Sequence, residues 1–177
     1  LIFFGISFFL VTPAAILTPL LVERSFGGDV WRLTANEMVW TIGSLLGGIF
    51  VSLKGTFQDK ILTTAICLMG FSVTFALLGI VGGFIVYLLI MGSAGFFMPI
   101  IATVQTVLIQ ENVEPAMMGR VFSLVQIVTG SAMPVAILLF GPLANVISIG
   151  SILLVSGFLL AVVGVLYQVT SKRLRLN

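Results

Sequence analysis

Apolar and polar residues alternate along this chain in long blocks. Residues 1–22 carry no charge, and a polar stretch follows at 23–32 with Glu23, Arg24, Gly27, Gly28, Asp29 and Arg32. A helix needs roughly 20 mostly apolar residues to cross the hydrocarbon core of a bilayer, so 1–22 supply one span. A second fits 34–53, with Thr34 as its N-cap and Glu37 in its first turn. The polar loop 54–60 ends it. The charge-free run 61–110 holds two more spans, divided by Gly79, Gly82 and Gly83 into 61–79 and 84–109. A polar stretch at 110–120 precedes a second long charge-free run. Gly141-Pro142 and the segment 145–150 divide that run, giving spans over 119–141 and 149–169. The pattern predicts one all-α membrane domain over 1–177, a bundle of six transmembrane helices. A β-barrel would need apolar residues at every second position. Runs such as Ile152-Leu-Leu-Val155 and Phe158-Leu-Leu-Ala-Val-Val163 are continuously apolar, which excludes it.

Composition agrees. The chain is 59% hydrophobic and 8% charged, with a mean hydropathy of +1.27. A soluble domain carries about 25% charged residues, so lipid is the solvent for most of this surface. There is no His and one Cys, Cys67, which leaves no zinc cluster, intrachain disulfide or other metal site to expect. A net charge of +2 without a basic patch speaks against nucleic acid as a partner. Leu1 lies in an apolar run without the basic flank of a signal peptide, so the chain reads as a piece that begins within its first helix.

Lys and Arg set orientation. With the ends of spans two, four and six in the cytoplasm, that side holds Lys54, Lys60, Arg120, Lys172, Arg173 and Arg175, against Arg24 and Arg32 opposite. The expectation is a multi-pass protein of the cell membrane with a cytoplasmic C-terminus. The spans also suggest a repeat of three plus three. Pro13 and Pro19 interrupt span one, and Pro99 interrupts span four, the first helix of the second set. Broken helices at matching positions mark the substrate path in transporters, whereas a packing kink is the plainer reading. Gly43-x-x-x-Gly47-Gly48 in span two, and Gly150, Gly157 and Gly164 in span six, are stripes that let helix backbones approach closely.

The loops carry a resemblance. Gly55-Thr-Phe-Gln-Asp59-Lys60 resembles the Gly-x-x-x-Asp-Arg/Lys loop signature of the major facilitator superfamily. The stretch Gln110-Glu-Asn-Val-Glu-Pro-Ala-Met-Met-Gly-Arg-Val-Phe-Ser-Leu124, with Glu-Pro before Gly-Arg, is similar to the loop between helices ten and eleven in macrolide-efflux-type members. Pro-Leu-Leu-Val22 leading into Phe-Gly-Gly28, and Asn36-Glu37 ahead of Gly-Gly48, extend the likeness over nearly the whole chain. It departs where Lys60 runs into Ile61-Leu-Thr-Thr instead of Gly-Arg-Arg, which weakens a clamping role for Asp59 and Lys60. The resemblance implies helices seven to twelve of a twelve-helix transporter, half of a major-facilitator fold built as a 3+3 inverted repeat. It also implies a proton-coupled antiporter that exports small drug-like molecules by alternating access, together with an N-terminal six-helix half. No cofactor and no enzymatic activity are implied. No Gly-x-x-x-x-Gly-Lys-Ser/Thr occurs, so the chain itself holds no ATP-binding P-loop.

Within these spans few residues have chemistry to offer. An ionisable group in the membrane is a functional suspect by default, and Glu37 comes closest. A carboxylate taken out of water tends to accept a proton, which suits coupling; at an exposed helix start Glu37 would merely complement the helix dipole. Ser123, Gln126, Gly130 and Met133 share one face of span five, and Gly92, Phe96, Pro99 and Thr103 one face of span four, with Gln105 beside them. Phe96, Pro99, Thr103, Gln105, Gln126 and Met133 are therefore the cavity candidates, against a plain role in helix–helix hydrogen bonding. Gly55, Asp59, Lys60, Glu111 and Arg120, with Glu114 nearby, are candidates for a charged gate at the cytoplasmic mouth, or else topological anchors. A membrane scaffold and the membrane subunit of an ATP-driven pump are the rival functions.

Overall fold

The structure is a computed structural model that describes residues 2–176, with the side chains of 2–5, 8, 13, 14 and 171–176 outside the description. Pro13, Lys172, Arg173 and Arg175 fall among those side chains. Among the described residues six helices follow one another: α1 (Ile2–Phe26), α2 (Val30–Lys54), α3 (Lys60–Leu78), α4 (Phe84–Asn112), α5 (Pro115–Val146) and α6 (Ile149–Leu176). All six are long and apolar enough to cross a membrane. The protein is a multi-pass, all-α membrane bundle.

Two helices differ from the sequence pattern in ways that bear on function. α2 starts at Val30, one turn before Thr34. Asp29 occupies the N-cap with extended backbone (φ −64°, ψ 129°), its carbonyl accepts from the Arg32 amide at 3.0 Å, and its carboxylate pairs with Arg32 Nε at 3.5 Å. Thr34 is already helical and turns its hydroxyl back to the Val30 carbonyl, 2.9 Å away. It is no cap, and Glu37 is not in the first turn. α5 runs straight through Gly141-Pro142 to Val146. Proline removes one backbone hydrogen bond, but in lipid a broken helix has no water to turn to, so the chain stays helical where it can. The break comes at Ile147, in extended conformation. On the other side of α5, the polar stretch at 110–120 is nearly all helix, and Val113 and Glu114 alone connect α4 to α5.

The helices pack most extensively as α2 with α4, α1 with α5, α3 with α6, α3 with α4, and α1 with α6. Exchanging α1 with α4, α2 with α5 and α3 with α6 returns the same set of pairs. Since each trio has an odd number of membrane crossings, equivalent helices run in opposite directions, which is the arrangement of an inverted repeat.

Glycine stripes bring the tightest pairs together. α3 and α6 run antiparallel with Gly79 against Gly150, Gly157 against Ser72 and Ala76, and Gly164 against Ala65 and Leu68. Ser72 Oγ donates to the Gly157 carbonyl at 2.6 Å. α2 and α4 run parallel, with Gly43 on Gly92 and Gly47 on Phe96 and Pro99. Around these seams a core forms from Leu17 and Val22 of α1, Leu68, Phe71 and Phe75 of α3, Tyr87 and Met91 of α4, and Leu153 and Leu160 of α6. α2 and α5 are the least covered, and Leu45, Leu46 and Leu53 on α2 and Ile127, Leu138 and Leu139 on α5 are exposed.

A Cβ at Gly150 would land on the Gly79 carbonyl, backbone against backbone, whereas Gly48 faces open space. Gly150→Ala is expected to destabilise the purified protein by about 1–3 kcal/mol, seen as a lower thermal-unfolding midpoint in detergent. Gly48→Ala is expected to leave that midpoint unchanged or raise it slightly.

Candidate functional site

A cavity of about 430 Å³ opens between α1, α2, α4 and α5, with Phe75 of α3 at its back. Its size lies within the roughly 300–1,000 Å³ usual for small-molecule sites. α1 contributes Val11, Thr12, Ala15 and Thr18, α2 contributes Glu37 and Trp40, α4 contributes Met91 and Met98, and α5 contributes Thr129, Gly130 and Met133. The wall is mostly apolar, and Glu37 is the one charged residue among its described lining. Two turns separate Glu37 from the start of α2, about 10 Å along the axis. The helix-dipole effect fades within the first turn, and Glu37, an exposed residue on the open side of the cavity wall, lies beyond it.

Glu37 is held from behind. Asn36 and Tyr87 are each 0% exposed. The Tyr87 hydroxyl donates to Asn36 Oδ1 at 2.9 Å, and Asn36 Nδ2 donates to Glu37 Oε1 at 3.1 Å. Trp40 meets Phe71 edge-on with centroids 6.4 Å apart, and Phe71 contacts Phe75 at 4.5 Å. The aromatic wall is thus anchored in the core, while Met91, Met98 and Met133 supply side chains that adapt to irregular shapes.

Prolines bring backbone polarity to this site. Proline cannot donate to the carbonyl four residues earlier. Pro19 deprives the Ala15 carbonyl of its helical partner and Pro134 does the same to Gly130, and both Ala15 and Gly130 line the cavity. Pro99 has another purpose. The carbonyl it frees, on Gly95, accepts from Ser44 Oγ of α2 at 3.3 Å, so its interruption serves the α2–α4 contact.

Of the residues singled out in the sequence, Glu37 and Met133 line the cavity, as does Gly130 on the predicted face of α5. Phe96 meets Phe50 at a tilt and Phe97 edge-on (centroids 5.6 and 5.9 Å apart), and Pro99 lies against Gly47. Both belong to the α2–α4 seam. Thr103 is exposed and Gln105 half-buried on α4, and Gln126 is exposed on α5 one turn before Gly130; none of the three lines the cavity. Thr12, Thr18, Trp40, Phe75, Met91, Met98, Thr129, Asn36 and Tyr87 were missed. The spacing rule identified a face on α4 but not its neighbour. The one usable signal for the polar group was the pair Asn36-Glu37 in an otherwise apolar span.

The gate candidates all lie at one end of the bundle. Gly55 takes a positive φ of 70° to end α2, Phe57 is buried beneath Lys54 at 5.1 Å from its Nζ, and Asp59 caps α3 by accepting from the Leu62 amide at 3.2 Å. Lys60 pairs with Glu111 of α4 at 2.9 Å. Arg120 lies exposed in the second turn of α5 and has no ion-pair partner among the described residues. At the opposite end Arg24 of α1 donates to the Ala144 carbonyl at 2.6 Å and to Asn145 Oδ1 at 2.9 Å, tying α1 to the last turn of α5.

Known proteins bear on this geometry. The chain is 30% identical to macrolide efflux protein A of Streptococcus pyogenes over 171 residues, which is 96% of the chain. Over nearly its whole length the chain is thus similar to macrolide-efflux proteins. It is 34% identical to the Enterococcus faecalis protein of the same name over 131 residues, 73% of the chain. These alignments span 42% and 41% of the relatives' own lengths. No family profile matches the chain, and no solved structure matches it.

Nothing lies within 4 Å of a Cβ built at Gly130, so a larger side chain there projects into the cavity without disturbing a helix contact. Gly130→Leu is expected to weaken binding of an apolar fluorescent ligand by about tenfold or more, with an unchanged unfolding midpoint. Titration of ligand fluorescence against the purified variant checks it.

Proposed function

We propose that this chain is the C-terminal six-helix half of a proton-coupled exporter of macrolide-like and other bulky, largely apolar molecules. The observation that carries this reading is a mostly apolar, drug-sized cavity with a single carboxylate, Glu37, in a chain related over 96% of its length to a protein named for macrolide efflux. In such a site the apolar wall, Trp40 and the three methionines hold the substrate. Glu37 exchanges the proton whose downhill movement drives export. The exposed apolar sides of α2 and α5 meet a second six-helix bundle, and rocking of the two bundles opens the shared cavity to each face of the cell membrane in turn. The substrate passes unchanged, so the chain has no catalytic role. A scaffold has no use for a hydrogen-bonded carboxylate in a cavity, which favours transport.

In the full-length protein reconstituted into vesicles, Glu37→Gln is expected to abolish proton-driven macrolide uptake while preserving exchange of labelled for unlabelled macrolide. Proton-driven uptake at the wild-type rate would overturn the role of Glu37. In the same reading the end of the bundle with Lys54, Lys60, Arg120 and the C-terminus faces the cytoplasm. A fluorescent protein fused after Asn177 is then expected to glow, and alkaline phosphatase in the same place to be inactive.

A further inference from the structure

We infer that Tyr87 and Asn36 are positioning residues for Glu37, fixing which of its carboxylate oxygens is offered to the cavity. This deepens the reading of Glu37 as the proton carrier and rests on it. The three side chains form a hydrogen-bonded chain across α4 and α2: Tyr87 hydroxyl to Asn36 Oδ1, Asn36 Nδ2 to Glu37 Oε1. Its polarity is forced. An ionised carboxylate only accepts hydrogen bonds, so the amide must present its nitrogen to Glu37 and its oxygen to the phenol. Tyr87 has a single hydroxyl proton to give, and its oxygen lies 2.9 Å from Asn36 Oδ1 and 3.4 Å from the Thr18 carbonyl, the shorter contact being the one to the amide.

Without the hydroxyl, Asn36 Oδ1 loses its one hydrogen bond among the described residues, and the amide is held by the Glu37 carboxylate alone. Tyr87 is itself immobilised, with its ring 5.4 Å from Phe26 and stacked on Phe84 at 6.3 Å. The core therefore sets the position of the phenol, the phenol sets the amide, and the amide engages Oε1. Glu37 Oε2 has no hydrogen bond among the described residues and is the oxygen left for the exchanged proton. Tyr87 and Asn36 touch neither cavity nor substrate, so they act only through Glu37.

The test uses the full-length transporter in vesicles and measures two activities for each variant: proton-driven macrolide uptake, and macrolide exchange without a proton gradient. Tyr87→Phe keeps every ring contact and removes only the hydroxyl; Asn36→Leu removes the amide at similar size. Each variant is expected to lose proton-driven uptake by roughly tenfold or more. Exchange stays near the wild-type rate. The double variant loses no more than either single one, because the two residues act in series.

Equal losses of uptake and exchange, or losses that multiply in the double variant, would show ordinary glue between α2 and α4 and overturn the proposal. So would full uptake by Tyr87→Phe and Asn36→Leu alongside an inactive Glu37→Gln, an outcome that leaves the carrier role of Glu37 standing. Full uptake by Glu37→Gln would instead remove that role, and the positioning role with it.

Discussion

In hydrocarbon there is no water to complete a hydrogen bond, and each backbone group must find its partner inside the protein. Most of this structure follows from that requirement. It makes all six segments helical and carries α5 through Gly141-Pro142. It also gives three of the prolines a consequence that can be traced to a named carbonyl. The carbonyl freed by Pro99 is taken by Ser44, and the chain gains a bond between α2 and α4. Those opposite Pro19 and Pro134 belong to residues that line the cavity. At the end of α5, Arg24 supplies a partner for the Ala144 carbonyl from another helix.

The same solvent removes the hydrophobic drive between helices, so association depends on close approach. Gly43 and Gly47 bring α2 onto α4, and Gly79, Gly150 and Gly157 bring α3 onto α6. These tight pairs leave α1 and α5 more loosely joined around the cavity. Of the aromatic residues in the core, Phe75 lines that space, Phe71 packs against Phe75 and Trp40, and Tyr87 bonds to Asn36 behind Glu37. Rigidity and access thus belong to different helix pairs.

The chain's blocks of apolar residues made the six helices and the Gly79–Gly83 break legible, because span length is set by the bilayer and not by tertiary contacts. Ends were less legible. Thr34 resembles a cap by residue type, but Asp29, paired with Arg32, lies earlier and starts the helix first. Glu37 was visible as a lone acid in an apolar span. Phe96 and Pro99 followed the right period but face Gly47, since periodicity says which residues share a face and nothing about the helix opposite. Trp40, Met91 and Met98 were hidden for the same reason: in a bilayer the lipid-facing, buried and cavity-facing sides of a helix are all apolar. The Tyr87–Asn36 bond joins residues 51 apart in sequence, and no local pattern encodes it.

The α3–α6 seam has a mechanical consequence. Its contacts recur every seven residues, with Gly150, Gly157 and Gly164 set like teeth against Gly79, Ser72 and Ala65. To slide lengthwise, one helix would have to lift off its partner and re-engage a full tooth away, about 10 Å along the axis. Backbone contact therefore blocks sliding of α3 along α6, whereas the described glycines of α5 (Gly119, Gly130 and Gly141) have nothing within 4 Å to set such teeth against α1.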